Sequence, residues 1–313
     1  MAVDLKSDRL AELVDPDIEV EQLVWGCWFT EGPIWNPDGQ FLLFSDVPAN
    51  TRRRWDERDG VRRIVARPTN KANGMTIDLE GRLIVCEHET SVVARMDADG
   101  SGSNREVIAS HYQGLELNSP NDLVVRSDGS IYFTDPIPGR IDPDHGLERP
   151  LQLDFKGVFR LPPQGGDLEL LADDFDAPNG ICFSPDESLL YVNDSARSHI
   201  RVFDVHTDGS VSNDRVFAED VYIGVWDPVL SPKKGGYVDG MKCDEQGNVW
   251  VTGPGGIWIF SPAAEHLGVV RTPQSVGNLH WGGPDWSWMF VCANTGVFRF
   301  RTKVSARREP FMK

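Results

Sequence analysis

A single pattern recurs six times along this chain: a polar residue, a hydrophobic run, a turn of the D-x-x-G type and a second hydrophobic run. The copies are EGPIWNPDGQFLLFSD from Glu31, NGMTIDLEGRLIVCE from Asn73, NDLVVRSDGSIYFTD from Asn121, NGICFSPDESLLYVND from Asn179, DGMKCDEQGNVWVTG from Asp239 and the less regular NLHWGGPDWSWMFVC from Asn278. Repetition of this kind limits the fold more tightly than composition does, because each unit leaves an apolar face that only its neighbour can cover. Every copy reads as a hairpin, since runs rich in Val, Ile, Phe, Tyr and Trp flank turns such as Pro37-Asp38-Gly39 and Ser127-Asp128-Gly129. A further strand pair follows most copies, as in VVARMDA…REVIA. Four strands per repeat make a propeller blade. The expected fold is all-β, a six-bladed β-propeller with four antiparallel strands per blade.

The sixth copy ends one strand short, after GVFRFR, while residues 18–25 ahead of the first copy read as an unassigned strand. Pairing the two closes the ring and removes open sheet edges. The expected organisation is a lead segment over 1–17 with a short helical turn at Ser7 to Leu13, the propeller over 18–303 and a tail over 304–313. Two stretches exceed what blades require, Pro136 to Lys156 and Val221 to Val238. Long excursions on one face of a rigid scaffold shape binding sites, and they are equally often tolerated insertions.

Charge narrows the partners. A net charge of −17 with a pI near 4.8 repels nucleic acid and anionic lipid, and no apolar run is long enough to span a membrane. The five cysteines, Cys27, Cys86, Cys182, Cys243 and Cys292, are odd in number and widely spaced. They suit buried thiols in a reducing compartment better than a disulfide framework or zinc ribbon. A cytoplasmic protein, monomeric or homo-oligomeric, is expected, with no G-x-G-x-x-G or P-loop fingerprint for a nucleotide.

In a propeller the inner strands line the central channel, so the residues that start them converge near one mouth. Here those residues are Glu31, Asn73, Asn121, Asn179 and Asp239. Asn and Asp before glycine also serve as turn formers. Recurrence in one register, and Glu31 in a slot where no turn calls for it, favour convergence. Two carboxylates with amide oxygens form an all-oxygen donor set, which suits one divalent ion of the Ca²⁺ type; Zn²⁺, which prefers Cys and His, is less suited, and Mg²⁺ or Mn²⁺ are the other candidates.

Such an ion beside an ester carbonyl acts as a Lewis acid. Asp239 is the candidate base that activates water and Glu31 its alternative. No G-x-S-x-G elbow offers a serine nucleophile. Of seven histidines, His88 and His280 follow or lie on inner-strand segments and are retained as candidate substrate contacts.

The strings WFTEGPIW, LNSPNDLVVRSDGSIYFTDP, APNGICFSPDESLLYVND, DGMKCDEQGNVWVTGPGGIWIFSP and NLHWGG resemble the senescence marker protein, gluconolactonase and luciferin-regenerating enzyme family. That resemblance implies a propeller with one axial divalent metal and an enzyme that hydrolyses a small-molecule sugar lactone. By matching motifs it implies metal ligands at Glu31, Asn179 and Asp239, Asn121 as a fourth ligand or substrate contact, Asp239 as general base, and Asn73 as a structural or pocket residue. Bacterial gluconolactonase-like members often carry a basic residue just before L-N-S-P-N-D, where this chain has Glu116, which argues against a charged sugar acid. Trp226, in a loop longer and more aromatic than usual, is expected to contact substrate, with Tyr237, Trp281 and Trp28 as further wall residues. The competing readings are a hydrolase of non-sugar lactones or organophosphates, a non-catalytic interaction scaffold, and a metal-free lyase or synthase.

Overall fold

In the computed structural model, which describes residues 2–222 and 236–312, the six repeats become six blades around one axis. The first blade is Thr30–Asn36, Phe41–Asp46, Thr51–Asp56 and Arg62–Ala66; the second is Ala72–Ile77, Leu83–Glu87, Val92–Met96 and Glu106–Ala109. The third is Leu123–Val125, Ile131–Asp135, Gly157–Leu161 and Glu169–Ala172; the fourth is Pro178–Phe183, Leu189–Asp194, His199–Val205 and Val211–Ala218. Met241–Cys243, Val249–Gly253, Gly256–Phe260 and His266–Arg271 form the fifth, and Val276–Gly282, Trp288–Ala293 and Gly296–Arg301 the sixth. All pairings within the blades are antiparallel, and the inner two strands of each blade are almost wholly buried. They lie between neighbouring blades, so both faces carry apolar side chains and period-2 alternation is lost.

The ring closes as expected: Glu21–Val24 pairs with Gly296–Arg301 as the outer strand of the sixth blade. A second stitch lies further toward the N-terminus, where Val3–Leu5 adds a fifth strand to the fifth blade against His266–Arg271. Between the two, the short helix Leu10–Leu13 buries Leu10, Leu13 and the following Val14 against the core. All five cysteines are buried and unpaired. Among the described residues no helix is long and apolar enough to cross a membrane.

The face carrying the inner-hairpin turns is crossed by residues 304–312. Val304, Ala306, Phe311 and Met312 are buried there, Ala306 bridges to Asp244, and Arg307 donates from its backbone to Cys243 O at 2.9 Å and from Nη2 to Val125 O at 3.4 Å. This segment covers the ends of the inner strands, opposite the mouth at which those strands start.

Candidate active site

The open mouth is built from one slot per blade. The backbone N–H one residue after a slot donates to the slot carbonyl of the next blade: Gly74 to Asn121 at 2.9 Å, Gly180 to Asp239 at 3.1 Å and Gly240 to Gly277 at 2.7 Å. Second strands add their own ties, from Ser45 Oγ to Asn73 O (2.9 Å), Thr134 Oγ1 to Asn179 O (2.8 Å) and Asn193 Nδ2 to Asp239 O (2.6 Å). The glycine after a slot is required by contact between blades. At Gly180 a Cβ would stand 2.2 Å from the Asp239 carbonyl oxygen, closer than any side chain tolerates.

Glu31, Asn73, Asn121, Asn179 and Asp239 occupy five slots, so the structure brings together the five residues that head the first five repeats. The sixth slot is Gly277, and Asn278 lies one residue further, where four other blades have glycine. This register shift explains the irregular sixth copy. Its consequence is specific: a Cβ on Gly277 would lie 2.7 Å from Glu31 Oε1 and 3.2 Å from Cζ of Phe29. The bare slot therefore makes room for the Glu31 carboxylate, and Asn278 Nδ2 donates to its Oε2 at 3.0 Å, as does the Gly32 N–H at 2.8 Å.

The amides are wired in sequence. Asn73 Nδ2 donates to Asn121 Oδ1 (2.6 Å), Asn121 Nδ2 to Asn179 Oδ1 (2.5 Å), and Asn179 Nδ2 to Ser195 Oγ (3.1 Å), whose hydroxyl is fixed by donating to Val238 O (2.6 Å). His88 completes the arc, with Nε2 3.2 Å from Asn121 Oδ1 and 3.3 Å from Asn73 Nδ2, and Nδ1 3.0 Å from the His145 carbonyl oxygen. Burial, then the neighbouring His145, lowers the His88 pKa to about 4, so the ring is neutral at physiological pH.

Burial raises the Glu31 pKa to about 7, with Asp122 adding to the rise; burial, then Glu31, then Asp122 raise that of Asp239 further. Tyr237 donates its hydroxyl to the Asp239 carboxylate, whose charge, followed by burial, raises the tyrosine pKa in turn. Deeper in the channel Lys242 Nζ lies 3.8 Å from Asp122 Oδ2, and its charge also lowers the Glu31 pKa against the effect of burial. Two buried carboxylates without an ion pair among the described residues, ringed by amide oxygens, form a set that a hard divalent cation would relieve. Among the described residues no three His, Cys, Asp or Glu gather, so amide oxygens must complete any coordination. That composition suits an oxygen-loving ion and not zinc.

Several expected contacts fall elsewhere. His280 is buried two residues beyond Asn278, 3.4 Å from Glu309 Oε1 and stacked on Phe311 of the covering segment, and it does not join the ring. Burial alone would raise Glu309, but His280, Arg307 and Lys242 hold its pKa down to about 2. Trp281 is blade packing, donating to Thr302 Oγ1 and edge-on to Trp250; Trp28 is 68% exposed. Trp226 lies outside the described residues. Asn278, Tyr237, Phe29 and Ser195 are the site residues that sequence reasoning missed or gave another role.

Residues 29–295 match the SMP-30/gluconolactonase/LRE-like region. The chain is 34% identical to a gluconolactonase of Zymomonas mobilis over 95% of its own length and 85% of that protein. It is 26% identical to the pentonolactonase XacC of Haloferax volcanii over 86% of its own length and 83% of that protein. The solved structure of a gluconolactonase from Xanthomonas campestris superposes with a TM-score of 0.85 at 30% identity, covering 96% of this chain and 94% of the other.

Proposed function

This chain belongs to the SMP-30/gluconolactonase/LRE-like family, and from that premise we propose that it hydrolyses lactones, a sugar-type lactone being its substrate. The relatives named above support the reaction class. The observation that carries the reading is the pair Glu31 and Asp239, two buried carboxylates facing one amide-lined mouth with no ion pair on either among the described residues. A scaffold without chemistry has no use for that pair, whose burial costs stability.

Glu31, Asn179 and Asp239, with Asn121, are the residues that would hold a divalent cation, Ca²⁺ by donor type. When bound, the ion would supply Lewis-acid polarisation of the ester carbonyl. Asp239 acts as the base. Its carboxylate takes a proton from water as the water oxygen bonds to the carbonyl carbon; the ring C–O bond then breaks, and the same proton passes to the departing alkoxide. Tyr237 orients the Asp239 carboxylate through its hydroxyl, and the Asn73–Asn121–Asn179 chain fixes where amide oxygens point. His88, neutral and clamped between the Asn73 amide N–H and the His145 carbonyl, is a positioning residue for that chain.

The test is a panel of lactones and a phosphotriester with Ca²⁺, Mg²⁺, Mn²⁺ or Zn²⁺, followed with a pH indicator. Opening of glucono-δ-lactone above the spontaneous rate is expected. Turnover of the phosphotriester alone transfers the chain to the organophosphate class, and no turnover of any ester with any ion removes the enzymatic reading.

The bare sixth slot gives a second check. In Gly277→Val the added methyls occupy the space of the Glu31 carboxylate. A misplacement of about 1 Å at a reacting centre costs on the order of 100-fold, so turnover should fall by at least that much while far-UV circular dichroism stays that of a propeller. Turnover within a few-fold of wild type would remove Glu31 from the reaction.

A further inference from the structure

The insertion between residues 136 and 156 is not loose surface. Its short helix Pro138–Ile141 carries Arg140, a fully buried guanidinium that donates from Nε to Asn118 O at 2.8 Å and pairs with Glu116. Arg149 at its far end donates to Glu89 O at 2.7 Å, and Lys71 from the second blade reaches the Asp144 carbonyl at 3.2 Å. These ties bolt the insertion to the open mouth. Glu116, the acidic residue ahead of the L-N-S-P-N-D motif, is spent on holding Arg140.

His145 is the residue this wall presents. Its carbonyl oxygen accepts from His88 Nδ1, and His88 Nε2 in turn accepts from the Asn73 amide. Its ring stands edge-on to Phe29, centroids 5.8 Å apart, and the tip of Phe29 shares the space above Gly277 with the Glu31 carboxylate. His145 is thus joined to the polar ring on both sides. Asp142 Oδ2 lies 2.8 Å from Nδ1; a carboxylate can only accept, so Nδ1 carries a proton, and in the neutral imidazole Nε2 keeps a lone pair. Among the described residues no hydrogen bond reaches Nε2, and about a third of the side chain is open to solvent (32%).

We propose that His145 is a specificity-determining residue for a polyhydroxylated lactone ring: Nε2 accepts a hydrogen bond from a substrate hydroxyl while Phe29 covers an apolar face of the same ring. An acceptor fixed by a buttressed wall, next to an aromatic face, fits a substrate that alternates C–H faces with hydroxyl edges. The proposal rests on the lactonase reading and adds which lactones are favoured.

The experiment compares glucono-δ-lactone with δ-valerolactone, the same six-membered ring without hydroxyls, in wild type, His145→Leu, His145→Gln and Asp142→Asn. A single neutral hydrogen bond is worth about tenfold in binding. His145→Leu should raise KM for glucono-δ-lactone about tenfold with kcat held within about twofold, and lower the preference over δ-valerolactone by the same factor. His145→Gln, which restores an acceptor, should recover part of that preference, and Asp142→Asn should lose part by freeing the ring. A preference that survives His145→Leu, or a parallel fall on both lactones or in kcat alone, overturns the proposal while leaving the lactonase reading in place. Wild type that opens neither lactone overturns both.

Discussion

Asp239→Asn should reduce kcat on the best lactone by about 1,000-fold or more at saturating metal, with the melting curve still that of a folded propeller. Loss of a positioned general base costs on the order of 100- to 10,000-fold. Here the substitution removes the base and one of two carboxylate charges together, while the amide keeps an oxygen in the same slot. The backbone of the slot is fixed independently by Gly180 N–H and Asn193 Nδ2 on the Asp239 carbonyl, so the side chain can change without moving the strand. Metal affinity measured by calorimetry should fall in parallel. If turnover stays within about tenfold of wild type once metal is saturating, the base is another group: Glu31, or His88, whose neutral ring has its acceptor nitrogen 3.3 Å from Asn73 Nδ2.

Removing the metal should change both the melting temperature and its dependence on pH. A ligand present at about 1,000 times its Kd stabilises the fold that binds it by roughly 4 kcal/mol, which for a chain of this length is a shift of roughly 5–10 °C. The pH dependence follows from Glu31, whose folded pKa without a cation is raised to about 7 from an ordinary 4.5, and from Asp239, raised in the same direction. A folded value above the unfolded one means that the folded state holds the proton more tightly. The metal-free propeller is therefore destabilised as pH rises through about 7 and recovers on acidification toward about 4.5. A bound cation reverses this, because it favours the ionised carboxylates. Melting curves with chelator and with excess Ca²⁺ should lie far apart near pH 8 and converge near pH 5. Two curves that superpose across that range would leave Glu31 and Asp239 without a cation to bind.

The propeller was readable because its hairpins keep their turn residues: Pro37-Asp38-Gly39 and Ser127-Asp128-Gly129 punctuate the chain where the backbone must reverse. Five slot residues were readable for the same reason, standing at a constant distance before those turns. The sixth was not. Gly277 has no side chain to announce it, and Asn278, which does, occupies the next position down, so only the bond from Gly240 N to Gly277 O reveals the register. His280 looked like a site residue because it lies on an inner strand, but the same strand runs from the open mouth to the covered end. Position along the strand, set by Glu309 and Phe311 packing on His280, decides which end it serves. His145 carried no periodic signal at all. Its placement comes from Lys71 of the second blade and from Arg140 and Arg149 within the insertion, three cations that hold an aperiodic segment in one shape. The strand Val3–Leu5 escaped notice because the fifth blade already had its four strands and no edge seemed to need a partner.

The two N-terminal stitches set an order for folding. Residues 3–5 and 21–24 are synthesised long before their partners at 266–271 and 296–301. Contacts so distant in sequence carry the slowest loop-closure steps, so blades one to four can collapse while the chain is still growing, with residues 3–5 and 21–24 still unpaired. Once synthesised, and until the two stitches form, the outer strand His266–Arg271 and the strand Gly296–Arg301 are edges open to any extended segment, and another nascent copy supplies the same one. Ring closure is thus the step at which a crowded translation system is most exposed to exchange of this segment between chains, and a larger share of soluble ring-closed protein is expected when synthesis is slowed.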